Sequence, residues 1–234
     1  MNDFSILIPI YNSSVHIESS VTVLIDFFQK KSAVFKIFLC DDASTDQSWG
    51  VLETVAQRYP QVRLMRNDQN QGLGTTLRRL ISAADTEDVV YCDIDLPFGV
   101  EGVGRALDTL ADADIAVASR YCGSANTVAW PRRWMSRGYY FLCRLLFDMT
   151  VADIGSGTVA FKKPKVETLG LASNRFAIHA ELYARAARQR LRIKEFGFPS
   201  MQRPGSFSML KHGPQVFWDT YLLWRSIKNS RRLD

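Results

Sequence analysis

Apolar positions recur along this chain in two rhythms. Near residues 4–10, 35–40, 61–66, 88–93 and 114–119 they form short, nearly continuous runs, the pattern of strands buried on both faces. Between those runs, near 14–30, 45–59, 74–84 and 100–111, they return every three or four residues, which predicts helices with one apolar face. Strand and helix in strict alternation predict parallel crossovers, and so an α/β, Rossmann-like fold with a mostly parallel central sheet and flanking helices. The alternation breaks at the polar stretch Gly123-Ser124-Ala125-Asn126. Beyond it the pattern becomes basic and amphipathic. Residues 130–147 set Arg133, Arg137 and Arg144 among Trp134, Leu142, Leu145 and Leu146, and residues 216–227 set Val216, Phe217, Tyr221, Trp224 and Ile227 at helical spacing ahead of Lys228, Arg231 and Arg232. The first stretch reads as a helix lying on something anionic, or else as an ordinary surface helix with a solvated Arg face, and the second equally suits an interfacial helix or one packed against the domain or a partner subunit.

Three of the predicted strands run into polar residues. The first leads into Pro9-Ile10-Tyr11-Asn12, the second into Asp41-Asp42-Ala43-Ser44-Thr45-Asp46, and the fourth into Asp93-Ile94-Asp95. In an open parallel sheet these ends meet on one edge, where ligands bind. Side chains two apart in extended chain point the same way, so Asp93 and Asp95 are expected to converge on one hard cation, Mg²⁺ or Mn²⁺, which phosphate oxygens would complete. Gly72-Leu73-Gly74 opens a helix and would let backbone approach a nucleotide.

With 234 residues, 47% of them hydrophobic, the chain has material for one sizeable domain and too little for two comfortable ones. A single domain over 1–211 and a basic amphipathic helix over 212–234 are expected. The net charge of +5 hides an asymmetry: residues 1–130 carry 10 Lys/Arg against 17 Asp/Glu, and 131–234 carry 19 against 7. The second half therefore faces an anion. No DNA- or RNA-binding motif accompanies its basic residues, so nucleic acid is not the expected partner. Cys40, Cys92, Cys122 and Cys143 show no metal-finger or C-x-x-C spacing and read as reduced, packed thiols. No run approaches the roughly 20 apolar residues of a bilayer span, and the N-terminus lacks a leader pattern. A cytoplasmic protein, peripheral at the cytosolic membrane face, is expected.

Taken in order, Pro9-Ile10-Tyr11-Asn12, Asp41-Asp42-Ala43-Ser44-Thr45-Asp46, Asn70-Gln71-Gly72-Leu73-Gly74-Thr75 and Asp93-Ile94-Asp95-Leu96 resemble the family 2 glycosyltransferases of the GT-A fold. Ala118-Ser119-Arg120-Tyr121, Arg132-Arg133-Trp134-Met135-Ser136-Arg137-Gly138 and Asp153-Ile154-Gly155-Ser156-Gly157 are similar to the dolichyl- and polyprenyl-phosphate sugar synthases within it. The resemblance spans residues 4–211. It implies base and ribose recognition by Pro9, Tyr11, Asp42 and Gly72, and metal and donor contact by Asp93 and Asp95. It further implies an acceptor-phosphate cradle of Arg120, Arg132 and Ser136, and a loop carrying Arg203 with Gly205, Ser206, Ser208 and Lys211 that closes over the diphosphate. The chain departs from those synthases in having Pro97-Phe98 where they carry Gln-His, and Ser13 where they place Glu.

The reaction so implied is inverting, metal-dependent transfer of a hexosyl group from a GDP- or UDP-sugar to a polyprenyl phosphate. An anionic phosphate can attack without a general base. A saccharide hydroxyl, the alternative acceptor, would need one, and Asp153 and Glu181 are the candidates, each with an equally simple structural role as a loop brace or an Arg partner. His179 beside Glu181 lacks both the H-E-x-x-H pattern and a third ligand of a zinc site. A nucleotidyltransferase is disfavoured because no Gly-rich phosphate loop follows the first strand. A catalytically idle nucleotide-binding partner subunit is the alternative from another class.

Overall fold

The structure is a computed structural model that describes residues 3–122, 130–200 and 209–230, with backbone alone for 130–136, 209–214 and 229–230. Strands β1 (Phe4–Ile10), β2 (Phe35–Asp41), β3 (Val62–Arg66), β4 (Asp88–Cys92) and β5 (Ile115–Ser119) alternate with helices α1 (Ser14–Lys30), α2 (Ser48–Arg58), α3 (Leu73–Ala83) and α4 (Gly99–Thr109). Each matches its predicted element to within three residues at either end. Then follow α5 (Trp130–Phe147), β6 (Thr158–Lys162), the short α6 (Lys163–Glu167), α7 (Ala177–Arg188), β7 (Ile193–Gly197) and α8 (Met209–Ser230).

The seven strands form one sheet in the order β3-β2-β1-β4-β6-β5-β7. β1 pairs in parallel with β2 and β4, β2 with β3, and β5 with β7, while β6 runs antiparallel between β4 and β5. The sheet is therefore mostly parallel, as the alternation predicts, with one reversed strand that it does not. Because β1, β2 and β4 are parallel neighbours, their carboxyl ends open on the same edge.

Period-two alternation divides the central strands between two cores. Phe4, Ile6, Ile8 and Ile10 of β1, with Ile37 and Leu39 of β2, pack under α1, α2 and α4; Leu7, Phe38, Val89 and Tyr91 pack on the other face under α3, α5, α7 and α8. All seven β1 residues except Pro9 are fully buried. The one hydroxyl among them, Ser5 Oγ, shares a hydrogen bond of 2.8 Å with Thr86 Oγ1, so it is not stranded in the core.

Helix α8 divides the residues of its apolar stripe between two roles. Val216, Leu223 and Ile227 join the second core, and Thr220 Oγ1 pairs with Tyr139 Oη of α5 at 2.9 Å. Phe217, Trp218, Tyr221 and Leu222 remain exposed, as do Phe141 and Leu145 of α5. Arg231 and Arg232 lie outside the described residues. Leu223→Ala is expected to lower stability by about 2–4 kcal/mol, as a buried Leu truncation does, whereas Trp218→Ser changes it by less than about 0.5 kcal/mol; urea unfolding of both variants checks this.

Candidate active site

Two adjoining cavities open where β1, β2 and β4 end. The larger, about 740 Å³, is walled by Pro9, Tyr11 and Asn12 after β1, Asp42 after β2, Gly72 and Leu73 at the start of α3, and Asp93 and Asp95 after β4. Arg175 and Phe176 from the turn before α7 close its side. The smaller, about 210 Å³, shares Asp93, Asp95, Leu73 and Phe176, and adds Arg120, Tyr121, Asp153, Gly155, Gly157 and His179.

The first wall is held by hydrogen bonds between the β1 and β2 ends. Asn12, in the left-handed region at φ 48°, accepts the Thr45 N–H on Oδ1 at 2.8 Å, and its own N–H donates to Ser44 Oγ at 2.9 Å. The Ser13 N–H donates to Ser48 Oγ at 2.9 Å. This stitching leaves the Tyr11 ring half-exposed on the cavity wall, where an aromatic face can meet a base. Asp42, 4% exposed, accepts three hydrogen bonds: from Asn67 Nδ2 at 2.7 Å and Gln71 N–H at 2.8 Å on Oδ1, and from Gly72 N–H at 2.8 Å on Oδ2. Gly72 sits at φ 86°, and a Cβ there would fall 2.6 Å from the Asn174 carbonyl oxygen, so only glycine fits. Asn67 carries no mark in the sequence reading, yet it braces Asp42 and accepts Arg79 Nη1 at 2.6 Å. Its place one residue past β3, level with the acids that end β2, is the signal that would have found it.

The acidic pair departs from its expected geometry. β4 ends at Cys92, one residue earlier than expected, and Asp93-Ile94-Asp95 forms a turn in which the Leu96 N–H donates to the Asp93 carbonyl at 2.9 Å. The turn, rather than an extended strand, is what brings both carboxylates to the two cavities. Asp93 receives the Tyr91 hydroxyl on Oδ1, and its N–H donates to the Gly157 carbonyl at 2.9 Å. A Cβ on Gly157 would lie 2.9 Å from Asp93 Cγ and 2.8 Å from Pro97 Cγ, so this glycine gives the carboxylate its room. Burial pushes the Asp93 carboxyl above the usual range, against the pull of the Tyr91 hydroxyl and the Arg120 guanidinium.

Arg120 is held as a fork. Its backbone N–H and Nε donate to Asp153 Oδ2 at 2.9 and 2.8 Å, Nη2 donates to Oδ1 at 2.6 Å, and Nη2 also reaches the Gly155 carbonyl at 2.9 Å. Asp153 is 1% exposed, and its own N–H and that of Ala152 donate to Glu195 of β7 at 2.8 and 2.9 Å. Glu195 is a second supporting residue absent from the sequence reading; nothing in its short, half-polar strand marks it. Glu181, also 1% exposed, accepts the N–H groups of Ala172 and Ser173 on Oε2 at 3.0 and 2.7 Å and Arg185 Nε on Oε1 at 2.8 Å. It thereby holds the turn that carries Arg175 and Phe176. Both candidate bases thus sit in the structural roles open to them. Arg203, with Gly205, Ser206, Ser208 and Lys211, lies outside the described residues, and so do the side chains of Arg132 and Ser136 on α5.

Among the described residues, no group of three or more His, Cys, Asp or Glu side chains converges on one point. Asp93 and Asp95 nonetheless fit a Mg²⁺- or Mn²⁺-type ion, which is commonly bound through one or two carboxylates with the remaining positions taken by water and substrate phosphates. A bound cation would offset the desolvation that opposes charge on the Asp93 carboxyl.

Residues 5–170 match glycosyl transferase family 2. The chain is 27% identical over 183 residues to a dolichol-phosphate mannosyltransferase of Pyrococcus furiosus, covering 76% of this chain and 51% of that protein. It is 24% identical to a dolichyl-phosphate beta-glucosyltransferase of Drosophila melanogaster over 95% of this chain and 77% of that one. The chain thus spans about half the length of the first relative and most of the second. Among solved structures, glucosyl-3-phosphoglycerate synthase from Mycobacterium tuberculosis in complex with Mn²⁺, UDP-glucose and phosphoglyceric acid superposes with a TM-score of 0.72 at 18% identity, over 95% of this chain and 80% of that one. A mannosyltransferase from Pyrobaculum calidifontis in complex with GDP-Man and Mn²⁺ superposes at 0.58 and 19%, over 86% and 58%. The fold is that of the GT-A glycosyltransferases, and the chain belongs to glycosyl transferase family 2.

Proposed function

We propose that this chain transfers a hexosyl group, with inversion, from a nucleoside-diphosphate sugar to a polyprenyl phosphate at the cytosolic face of a membrane. The observation that carries this reading is the Arg120–Asp153 fork beside Asp93 and Asp95 in one cavity wall. It places a fixed cation next to an acidic pair, as a reaction between two phosphate-bearing substrates requires.

In this reading Tyr11 and Asp42 hold the base, and the backbone at Gly72 approaches the nucleotide. Three of the roughly four acceptor positions of the Asp42 carboxylate are filled by Asn67, Gln71 and Gly72. One remains, which matches the single ring N–H of uracil better than the adjacent pair of N–H groups on guanine. Asp93 and Asp95 would hold Mg²⁺ or Mn²⁺, which supplies charge stabilisation to the departing diphosphate. Arg120 orients the acceptor phosphate, one of whose oxygens forms the new bond to the anomeric carbon as the bond to the diphosphate breaks. That oxygen is already anionic, so no proton has to be removed. Asp153 and Glu181, whose oxygens are taken up by Arg120, Arg185 and backbone N–H groups, are not asked to remove one. Arg132, Ser136 and the segment containing Arg203 complete the acceptor and diphosphate contacts in the same reading.

No helix among the described residues is long and apolar enough to cross a membrane. Phe141 and Leu145 of α5, and Phe217, Trp218 and Tyr221 of α8, lie exposed on two helices that pack together, with Arg137, Arg144, Arg225 and Lys228 exposed among them. Apolar side chains with cationic neighbours suit peripheral contact with an anionic lipid surface.

Radiolabel from UDP-hexose is expected to move into an organic-extractable lipid when polyprenyl phosphate and Mn²⁺ are present; label that stays aqueous with every donor and lipid tried would overturn the reading. In thermal-shift measurements with Mn²⁺, UDP should raise the melting temperature more than GDP, and the reverse order would contradict the assignment made through Asp42. Gly157→Ala should cut transfer at least tenfold by displacing Asp93 while leaving nucleotide-free stability within about 2 kcal/mol; undiminished transfer would show that the carboxylate position is not critical. Flotation should recover the chain with anionic vesicles, and the double variant Trp218→Ser, Tyr221→Ser should lower that recovery without changing the melting temperature.

A further inference from the structure

Helix α7 is buried along its length from Ala177 to Ala184, and the polar groups there differ in how they are satisfied. The Glu181 carboxylate accepts three hydrogen bonds. His179, 5% exposed, buries its Nε2 with no hydrogen-bond partner among the described residues. Its ring packs against Tyr91 at 5.5 Å between centroids, and the Tyr91 hydroxyl is given to Asp93. His179 is one of the residues that line the 210 Å³ cavity shared by Asp93, Asp95 and Arg120. An unsatisfied buried nitrogen is destabilising, and an apolar side chain of similar size would avoid that cost.

We propose that His179 is a substrate-contacting residue that hydrogen-bonds a hydroxyl of the hexosyl group carried by the donor. This rests on the donor reading above: with the diphosphate over Asp93 and Asp95, the sugar extends towards Arg120, past His179. A sugar hydroxyl both donates and accepts, and a neutral imidazole offers one of each in return. A carboxylate in its place would compete for the metal, and an ammonium would be repelled by Arg120. Burial pushes His179 down to about 4, against the opposing pull of Asp153, which keeps the ring uncharged at neutral pH. The competing account is a buried water shared with the Tyr183 hydroxyl, which lies one turn along α7 and is also without a partner.

Binding of UDP, GDP, UDP-glucose, UDP-galactose and GDP-mannose to the full chain with Mn²⁺ separates these accounts. His179→Ala is expected to weaken the preferred nucleotide sugar about tenfold, the scale of one lost hydrogen bond, while its free nucleotide binds within twofold of wild type. His179→Gln, which keeps a donor and an acceptor, should recover part of the loss and covers the case in which the alanine variant does not fold. Tyr183→Phe should leave both affinities unchanged. Equal losses for sugar nucleotide and nucleotide, no loss for either, or a loss reproduced by Tyr183→Phe would overturn the proposal with the donor reading intact. A wild-type chain that binds none of the five ligands would overturn the donor reading and this proposal together.

Discussion

The structure depends on one constraint: a buried carboxylate has to be kept at the end of a central strand without a full set of protein partners. Asp93 follows β4, in a turn roofed by Gly157, with the Tyr91 hydroxyl bonded to it and the Arg120 guanidinium in the same cavity wall. Desolvation raises the cost of its charge, and among the described residues no cation pairs with it directly, because Arg120 gives its ion pair to Asp153. Such a site is stable enough to fold and is improved by an added cation, which is the condition for a metal-assisted reaction. The surrounding residues preserve that imbalance. Glu195 fixes the backbone of Asp153, Asp153 fixes Arg120, and Glu181 fixes the turn that closes the cavity from the other side.

The same reasoning explains why acids of similar burial have different work. Asp42, Asp153 and Glu181 are all nearly inaccessible, and each accepts at least three hydrogen bonds or ion-pair contacts from the chain itself. They organise loops. Asp42 differs from the other two in facing the large cavity while it braces Gly72.

Much of the architecture was legible because the apolar runs are long and their punctuation is chemical. β1 and α1 have the boundaries the pattern predicts, and the acids after β2 and β4 mark the edge of the sheet that carries the site. β6 at Thr158–Lys162 is not among the predicted strands, and its reversed direction is shown only by its pairing with β4 and β5. The turn at Asp93 escaped for a related reason: besides its local Leu96 N–H bond it is anchored to the Gly157 carbonyl, more than sixty positions away. Residue type suggested Asp153 and Glu181 equally as bases and as braces, and only their partners distinguish the two roles. Asn67 and Glu195 act through other side chains, which leaves no local pattern to read.

The most direct test is the coupling between metal and nucleotide at the acidic pair. The account predicts that Mn²⁺ tightens nucleoside-diphosphate binding to the wild-type chain at least tenfold, and that this gain disappears in the Asp93→Asn, Asp95→Asn double variant, with binding in chelator the same for both proteins. A double variant that keeps the full Mn²⁺-dependent gain would contradict it.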